Sequence, residues 1–189
     1  MRDVPEMAEI RALISSDVPA LCALAREIWR AHYPGIISEA QIEYMLNERY
    51  HEAVICKELE RRDLWWDVLM LNGQITGYTA YFWANLADAI KIDKLYLHPR
   101  VQRHGYGGML IDHIARRMSG QGCKRLTLAV NRHNQSAIAA YLKHGFQVAE
   151  TSLKPIGGGF WMDDYIMVKT VNGNNHCAGE VIILGAGNV

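Results

Sequence analysis

The sequence predicts one α/β domain built around a mixed β-sheet. Three observations carry that prediction. The hydrophobic period switches repeatedly between strand alternation and helical spacing along the chain. A single strand–helix–strand unit sits inside an otherwise mixed order of elements, which is the pattern of a mixed sheet with helices packed on it. The chain has 189 residues, of which 50% are hydrophobic and 21% charged. A chain of that size suits one domain, or one domain with a tail, and buries about 70% of its unfolded surface.

The elements follow in order. Met7 to Ile14 reads as a short strand. Ser16 and Asp17 mark a helix start, and Val18, Leu21, Cys22, Ala25, Ile28 and Trp29 follow at helical spacing. Pro34 and Gly35 break that helix. Ser38 opens a second one with Gln41 three positions on, a capping-box pattern, and Ile42, Met45 and Leu46 form its apolar stripe. The charged stretch from Tyr50 to Asp63 is weakly periodic and reads as helical. Leu64 to Leu71 and Ile75 to Trp83 are strand-like runs joined by Asn72-Gly73, a strong hairpin signal. Ala89 to His98 is a third strand, ended by Pro99.

A glycine-rich loop then leads into a helix whose buried face is Leu110, Ile111, Ile114, Ala115 and Met118, stopped by Gly120 and Gly122. Leu126, Leu128 and Val130 alternate as a strand. Ala137, Ile138, Tyr141 and Leu142 share one helical face, closed by Gly145 as a C-terminal cap. Phe146 to Lys154 and Phe160 to Lys169 are the last two strands, split by Pro155 and three glycines. The domain is therefore expected over residues 1–170. Residues 171–189 read as linker and tail, with a polar Gly/Asn-rich segment from Asn172 to Ala178 and an extra strand from Glu180 to Val189.

Composition excludes several classes of function. Twenty Lys and Arg balance twenty Asp and Glu, which argues against a protein devoted to nucleic acid or to an anionic membrane. Cys22, Cys56, Cys123 and Cys177 show no CxxC spacing, and the eight histidines show no ligand spacing, so no metal site is expected. The first seventeen residues hold charges and no apolar run of signal-peptide length. No run is long enough to span a membrane. These features together predict a cytoplasmic protein with free thiols.

The most informative stretch is Leu95 to Ile111, LYLHPRVQRHGYGGMLI. Glycines at 105, 107 and 108 allow positive φ and remove side chains, so that backbone N–H groups can converge on an anion. A helix N-terminus adds a partial charge of about +0.5. Arg100, Arg103 and His104 add positive charge. A tight strand–helix turn that is merely rich in glycine is the competing reading. No GxxxxGK[ST] or GxGxxG spacing occurs here, which disfavours a P-loop hydrolase and a dinucleotide fold. VIILGAG at Val181 to Gly187 looks like a strand entering a dinucleotide loop, but no third glycine or helix follows it.

Two motifs then make the chain resemble a known family, the GNAT superfamily of acetyl-CoA-dependent N-acetyltransferases. Gln102, Gly105 and Gly107, in QRHGYG, match its Q/R-x-x-G-x-G/A loop. Asn134, Ala137, Tyr141, Gly145 and Phe146 match its N-x-x-A-x-x-x-Y-x-x-x-G-F pattern downstream. The resemblance covers Ile10 to Thr170. It implies a mixed, splayed sheet of six or seven strands flanked by about four helices, with acetyl-CoA as co-substrate and an amine acceptor as partner. Neither nucleic acid nor membrane is an expected partner, and a homodimer is compatible with the pattern.

The resemblance also implies roles. Backbone N–H groups of Gln102, Arg103, His104, Gly105, Tyr106, Gly107 and Gly108 would hold the pyrophosphate. Leu95 and Leu97 would pair with the pantetheine arm as an added strand does, and a backbone N–H near Leu97 would polarise the thioester carbonyl. Asn134 matches a position that contacts the cofactor arm. Tyr141 matches the general acid; an ordinary phenol, with a pKa of about 10, stays protonated at neutral pH and can donate to a leaving sulfur. Helical spacing by itself would equally make Tyr141 a core residue. Some family members place a basic glutamate where this chain has Lys91.

By strand alternation Asp93 shares a face with Leu95 and Leu97. It would draw a proton from the amine, attract a cationic acceptor, or form a salt bridge with Lys91 or Lys94. Trp29, His32, Tyr33, Tyr44, Trp161, Asp163 and Asp164 are the aromatic and acidic residues available for an amine cation. No Cys or Ser stands beside a base, so direct transfer in a ternary complex is expected. The alternative is a non-catalytic acyl-CoA-binding module.

Overall fold

The structure, a computed structural model of the chain, describes residues 7–85 and 88–171. The expected linker and terminal strand lie outside the described residues. Seven strands form one sheet in the order β1-β2-β3-β4-β5-β7-β6. They are β1 (Ala8–Ala12), β2 (Leu64–Leu71), β3 (Gln74–Trp83), β4 (Ala89–Leu97), β5 (Arg125–Asn131), β6 (Gln147–Gly157) and β7 (Phe160–Thr170). Five helices accompany them: α1 (Val18–His32), α2 (Glu39–Arg49), α3 (Glu52–Leu59), α4 (Tyr106–Ser119) and α5 (Gln135–Lys143). The weakly periodic stretch after Tyr50 thus supplies a helix beyond the four the resemblance implied. It carries only one fully buried residue, Ile55, which is why its apolar stripe was faint.

Local chemistry explains most boundaries. Asn72 and Gly73 both adopt positive φ, 50° and 79°, as a two-residue hairpin turn requires. The Ser38 hydroxyl accepts from the Gln41 backbone N–H at 3.2 Å and caps α2. The reciprocal half of the expected capping box is missing, because the Gln41 side chain donates instead to the Trp161 carbonyl at 2.9 Å. That bond, with the one from Tyr44 to the Ile156 carbonyl at 2.8 Å, fastens α2 over the β6–β7 hairpin. The expected break at Pro155 does not occur. Pro155 lies within β6, an edge strand, where the missing N–H costs no ladder bond.

The helices split between the two faces. Leu21, Ala25, Ile28 and Trp29 of α1, with Ile42 and Leu46 of α2 and Ile55 of α3, pack on Trp66, Val68, Tyr78 and Ala80. Ile111, Ile114 and Met118 of α4 and Ile138 of α5 pack on Tyr81, Ile90, Ile92, Leu126, Leu128 and Met167. All neighbouring strands are antiparallel except β4 and β5, which α4 connects in parallel.

That one parallel pair is short. Ala89 to Ile92 pairs with Arg125 to Leu128, and there the ladder ends. Beyond it β4 follows β3 while β5 follows β7. The divergence begins at a bulge. Ile92 lies opposite Tyr81 and Lys94 opposite Ala80, so Asp93 is the extra residue. A bulge bends its strand and increases the local twist, which carries the end of β4 away from β5. Gly77 keeps the other side closed: a Cβ there would lie 2.6 Å from Leu97 Cδ2 and 2.9 Å from the Tyr96 carbonyl oxygen.

Candidate active site

The open edge of β4 is the first component. The His98 N–H donates to the Thr76 carbonyl at 2.8 Å. Alternation along an antiparallel ladder then turns the N–H and C=O groups of Leu97 and Leu95 away from β3, into the gap. The Gln102 side chain reaches the Leu97 carbonyl there at 3.1 Å. The side chains of Leu95 and Leu97 pack toward α4, beside Tyr106 and Leu110.

The loop that follows is the second component. Arg103 and Gly105 both take positive φ, 67° and 85°. The Arg103 conformation is costly for a residue with a Cβ, and such strain concentrates at functional sites. Gly105 is the N-cap of α4 and no side chain caps that end, leaving backbone donors and the helix dipole for an anion. Gln102, Arg103, His104 and Gly105 are exposed, whereas Tyr106 is buried with Leu69 and Leu71. Tyr106 therefore can offer the anion its backbone but not its ring.

Gly107 and Gly108 do not use positive φ, contrary to the expectation; both lie in the first turn of α4. Their missing side chains matter for space. A Cβ on Gly108 would collide with the His144 ring at the end of α5, while one on Gly107 would meet only Leu97 Cδ1 at 3.8 Å.

The third component joins the two faces through the gap. Asn134 caps α5, its Oδ1 accepting from the Ala137 N–H at 3.3 Å, and its Nδ2 lies 2.9 Å from Nε2 of His32, the last residue of α1. Asn134, expected at the cofactor arm, thus spends its side chain on fixing where α5 begins. Tyr141 follows two helical turns later on the same side. Its ring meets Phe146 edge-on, centroids 5.6 Å apart. Its hydroxyl interacts electrostatically with Tyr33 and Tyr96, whose own hydroxyls are 3.0 Å apart. Burial, and then Tyr33, push the Tyr141 pKa upward, so this phenol keeps its proton at neutral pH. Tyr33 is likewise pushed up to about 12, mainly by burial.

Asp93 requires a correction. It does not share a face with Leu95 and Leu97, because the bulge at Asp93 shifts the alternation by one residue. Its carboxylate points to the α1–α3 side, where it pairs with Arg49 of α2 and with Lys94 at 2.9 Å. Lys94 is 2% exposed, lies 3.3 Å from Glu58 and stands over the Trp66 ring. Burial raises the Asp93 pKa, but Lys94 and Arg49 outweigh it and hold the carboxyl below its ordinary range. A carboxylate so neutralised is a weak base.

Strand alternation gives no signal for Tyr96, which only the bulge aims at Tyr33. Asp164 on β7 is 8% exposed, and its Oδ1 has no hydrogen-bond partner among the described residues. Its neighbour Asp163 pairs with Arg132 at 3.2 Å. Trp29, also considered for the acceptor, is core at 3% exposure. Among the described residues no group of three or more metal-binding side chains occurs.

The chain is similar to known proteins. The acetyltransferase (GNAT) family model matches residues 21–146. A spermidine N(1)-acetyltransferase of Thermoplasma acidophilum is 32% identical over 146 residues, spanning 76% of this chain and 90% of that protein. The crystal structure of PaiA N-acetyltransferase from Thermoplasma acidophilum, in complex with coenzyme A, is similar at a TM-score of 0.76 and 28% identity, covering 86% of this chain and 98% of that one. A GCN5-related N-acetyltransferase from Rhodopseudomonas palustris shares the fold, with a TM-score of 0.73 at 21% identity over 90% of this chain and 99% of that one.

Two outcomes are expected from this geometry. Asp93→Asn should lower stability by roughly 1–3 kcal/mol, since it leaves the buried Lys94 with one carboxylate fewer. Because the native pKa of Asp93 is depressed, its contribution is present above the ordinary carboxylate pKa and is lost as pH falls through the native value. Denaturant titrations of both proteins should therefore converge in acid, and a gap that persists at low pH would contradict the ion pair. For the loop, coenzyme A at a hundred times its dissociation constant should stabilise the wild type by ~2.7 kcal/mol. Gly107→Val should lose that stabilisation and stay folded, whereas Gly108→Ala should itself unfold at lower temperature. A Gly107→Val protein that retains the full thermal shift would remove the α4 N-terminus from the binding site.

Proposed function

The chain belongs to the acetyltransferase (GNAT) family, and we propose that within it the enzyme acetylates a primary amino group of a polyamine-like cation. It is an acyltransferase with acetyl-CoA as co-substrate. The polyamine assignment is supported by the spermidine N(1)-acetyltransferase to which the chain is similar, and by the pair of tyrosines, Tyr33 and Tyr96, at the bulged end of β4. The Tyr33 and Tyr96 hydroxyls lie 3.0 Å apart, and burial keeps both phenols protonated. Such a surface suits an extended cation.

The observation that carries this reading is the open edge of β4 running into the uncapped N-terminus of α4, with the protonated Tyr141 of α5 acting electrostatically on Tyr33 and Tyr96. In our reading the backbone from Gln102 to Gly108 and the α4 N-terminus hold the pyrophosphate, with Arg103 supplying exposed positive charge. The open edge at Leu95 and Leu97 receives the pantetheine arm as a neighbouring strand would be received. Tyr141 donates its proton to the departing sulfur, and Asn134 positions Tyr141 through the start of α5. Asp93 is given a structural role. We place the reaction in the cytoplasm, where acetyl-CoA is supplied.

Acetylation of spermidine, spermine, putrescine and N-terminal peptides, followed by release of free thiol, tests this reading. Polyamines should be the best acceptors. Tyr141→Phe keeps the ring against Phe146 and should lower turnover by about 10²–10⁴-fold while coenzyme A affinity is nearly unchanged. Thiol release from none of these amines, by a protein that still binds coenzyme A, would turn the chain into a binding module. Full turnover in Tyr141→Phe, with chemistry limiting the rate, would take Tyr141 out of the mechanism.

A further inference from the structure

We propose that Asp164 is the group that takes the proton from the acceptor's ammonium before the nitrogen attacks the acetyl thioester. The inference rests on the reading of the site as an N-acetyltransferase for a cationic amine. It identifies a base that neither the sequence motifs nor β4 supplies.

Elimination narrows the candidates. Two carboxylates are buried among the described residues, Asp67 and Asp164. Asp67 is spent: it accepts from the Tyr81 hydroxyl at 2.7 Å and lies 3.1 Å from His113 and 3.2 Å from Arg117. Asp93 is neutralised by Arg49 and Lys94. Glu58 accepts from the Trp66 indole at 3.0 Å and pairs with Lys94. Asp164 has no hydrogen-bond partner on its buried oxygen. A buried carboxylate oxygen without a hydrogen-bond partner costs stability, and functional sites are where such groups are kept.

Position supports the role. Tyr165 and Met167 point into the α4–α5 core, so alternation places Asp164 on the opposite face, toward α1 and α2. Its charge acts on the Tyr33 hydroxyl. Tyr33 in turn bonds Tyr96 and interacts with Tyr141. Asp164 and Tyr141 thus both interact electrostatically with Tyr33, one from each face of the sheet.

The charged groups around Asp164 tune it. Asp163, adjacent on β7, repels its negative form, while Lys154 of β6 and Lys91 of β4 favour it; Tyr33 faces it from the end of α1. Burial is the largest influence, and with Asp163 it pushes the carboxyl up to about 6. Asp164 is then ionised at neutral pH yet holds a proton better than an ordinary carboxylate, as a general base should.

The protons balance. The ammonium N–H bond breaks, the proton passes to Asp164, and the neutral nitrogen bonds to the acetyl carbon as the C–S bond breaks. Tyr141 gives its proton to the sulfur and recovers one from the acylated nitrogen. Asp164 returns its proton to solvent, so one proton is released for each acetyl transferred.

The test is a pH profile of wild type, Asp164→Asn and Asp164→Glu with acetyl-CoA and the best polyamine. Wild-type kcat/KM should fall below about pH 6. Asp164→Asn should lose about 10²–10³-fold in kcat and lose the acidic limb, with acceptor KM within about threefold and the coenzyme A thermal shift intact. Its Tm at pH 7 should rise. The native pKa lies above the unfolded one, so the ionised carboxylate destabilises the fold at that pH. Asp164→Glu should keep an acidic limb and part of the turnover, and it decides the matter if Asp164→Asn binds coenzyme A poorly. Unchanged kcat in Asp164→Asn, or a raised acceptor KM alone, overturns the proposal and leaves the acetyltransferase reading standing. A wild type that acetylates no amine overturns both.

Discussion

The pairing of β4 with β5 stops after Ile92 and Leu128, and the rest of the molecule is arranged around that stop. A sheet with a continuous ladder would seal its two faces from one another. Here the bulge at Asp93 twists the end of β4 toward β3, and β5 stays with β7. The gap exposes one row of main-chain donors and acceptors at Leu95 and Leu97, which would be intolerable in a buried sheet without a partner. In the reading proposed here the pantetheine arm is such a partner, and the incomplete sheet is its binding site.

The same gap explains how chemistry is shared between the faces. Tyr141 stands on α5, which packs with α4. Tyr33 and Tyr96 belong to the side covered by α1, α2 and α3. Tyr141 nevertheless acts electrostatically on both. Asn134 and His32 tie the start of α5 to the end of α1 at 2.9 Å, so the two faces are held in register across the opening. In the reading proposed here the cofactor enters along an edge, the acid Tyr141 comes from one face, and Asp164 stands on the other.

Charge is distributed unevenly about this frame. Asp93, Lys94, Arg49 and Glu58 form a compensated network that anchors α2 and α3 to the bulged strand. Asp67, His113 and Arg117 do the same for α4 on the far face, where Arg117 also lies 6.0 Å from the Trp65 and Tyr81 ring centroids. Asp164 stands outside both networks. A protein that pairs its buried ions so thoroughly elsewhere, and leaves one carboxylate unpaired beside a tyrosine cluster, has traded local stability for reactivity.

Most of the fold was legible in the residues. Asn72-Gly73 announced its hairpin because only residues tolerant of positive φ make that turn. The stripes of α1 and α4 announced their buried faces, and QRHGYG with N-x-x-A-x-x-x-Y announced the family, since both are local patterns. The face to which Asp93 points was not legible. Alternation has period two, and one inserted residue inverts it; the insertion is visible only when β3 is laid beside β4. Nor could sequence separate Asp163 from Asp164, adjacent and chemically identical. Arg132 pairs with the first, and the surrounding elements bury the second. The sequence by itself determined which elements form and where the glycine-rich turn into α4 lies, because those depend on neighbours along the chain. Tertiary structure decided which carboxylate is free to act, because a group's charge and solvation depend on neighbours in space.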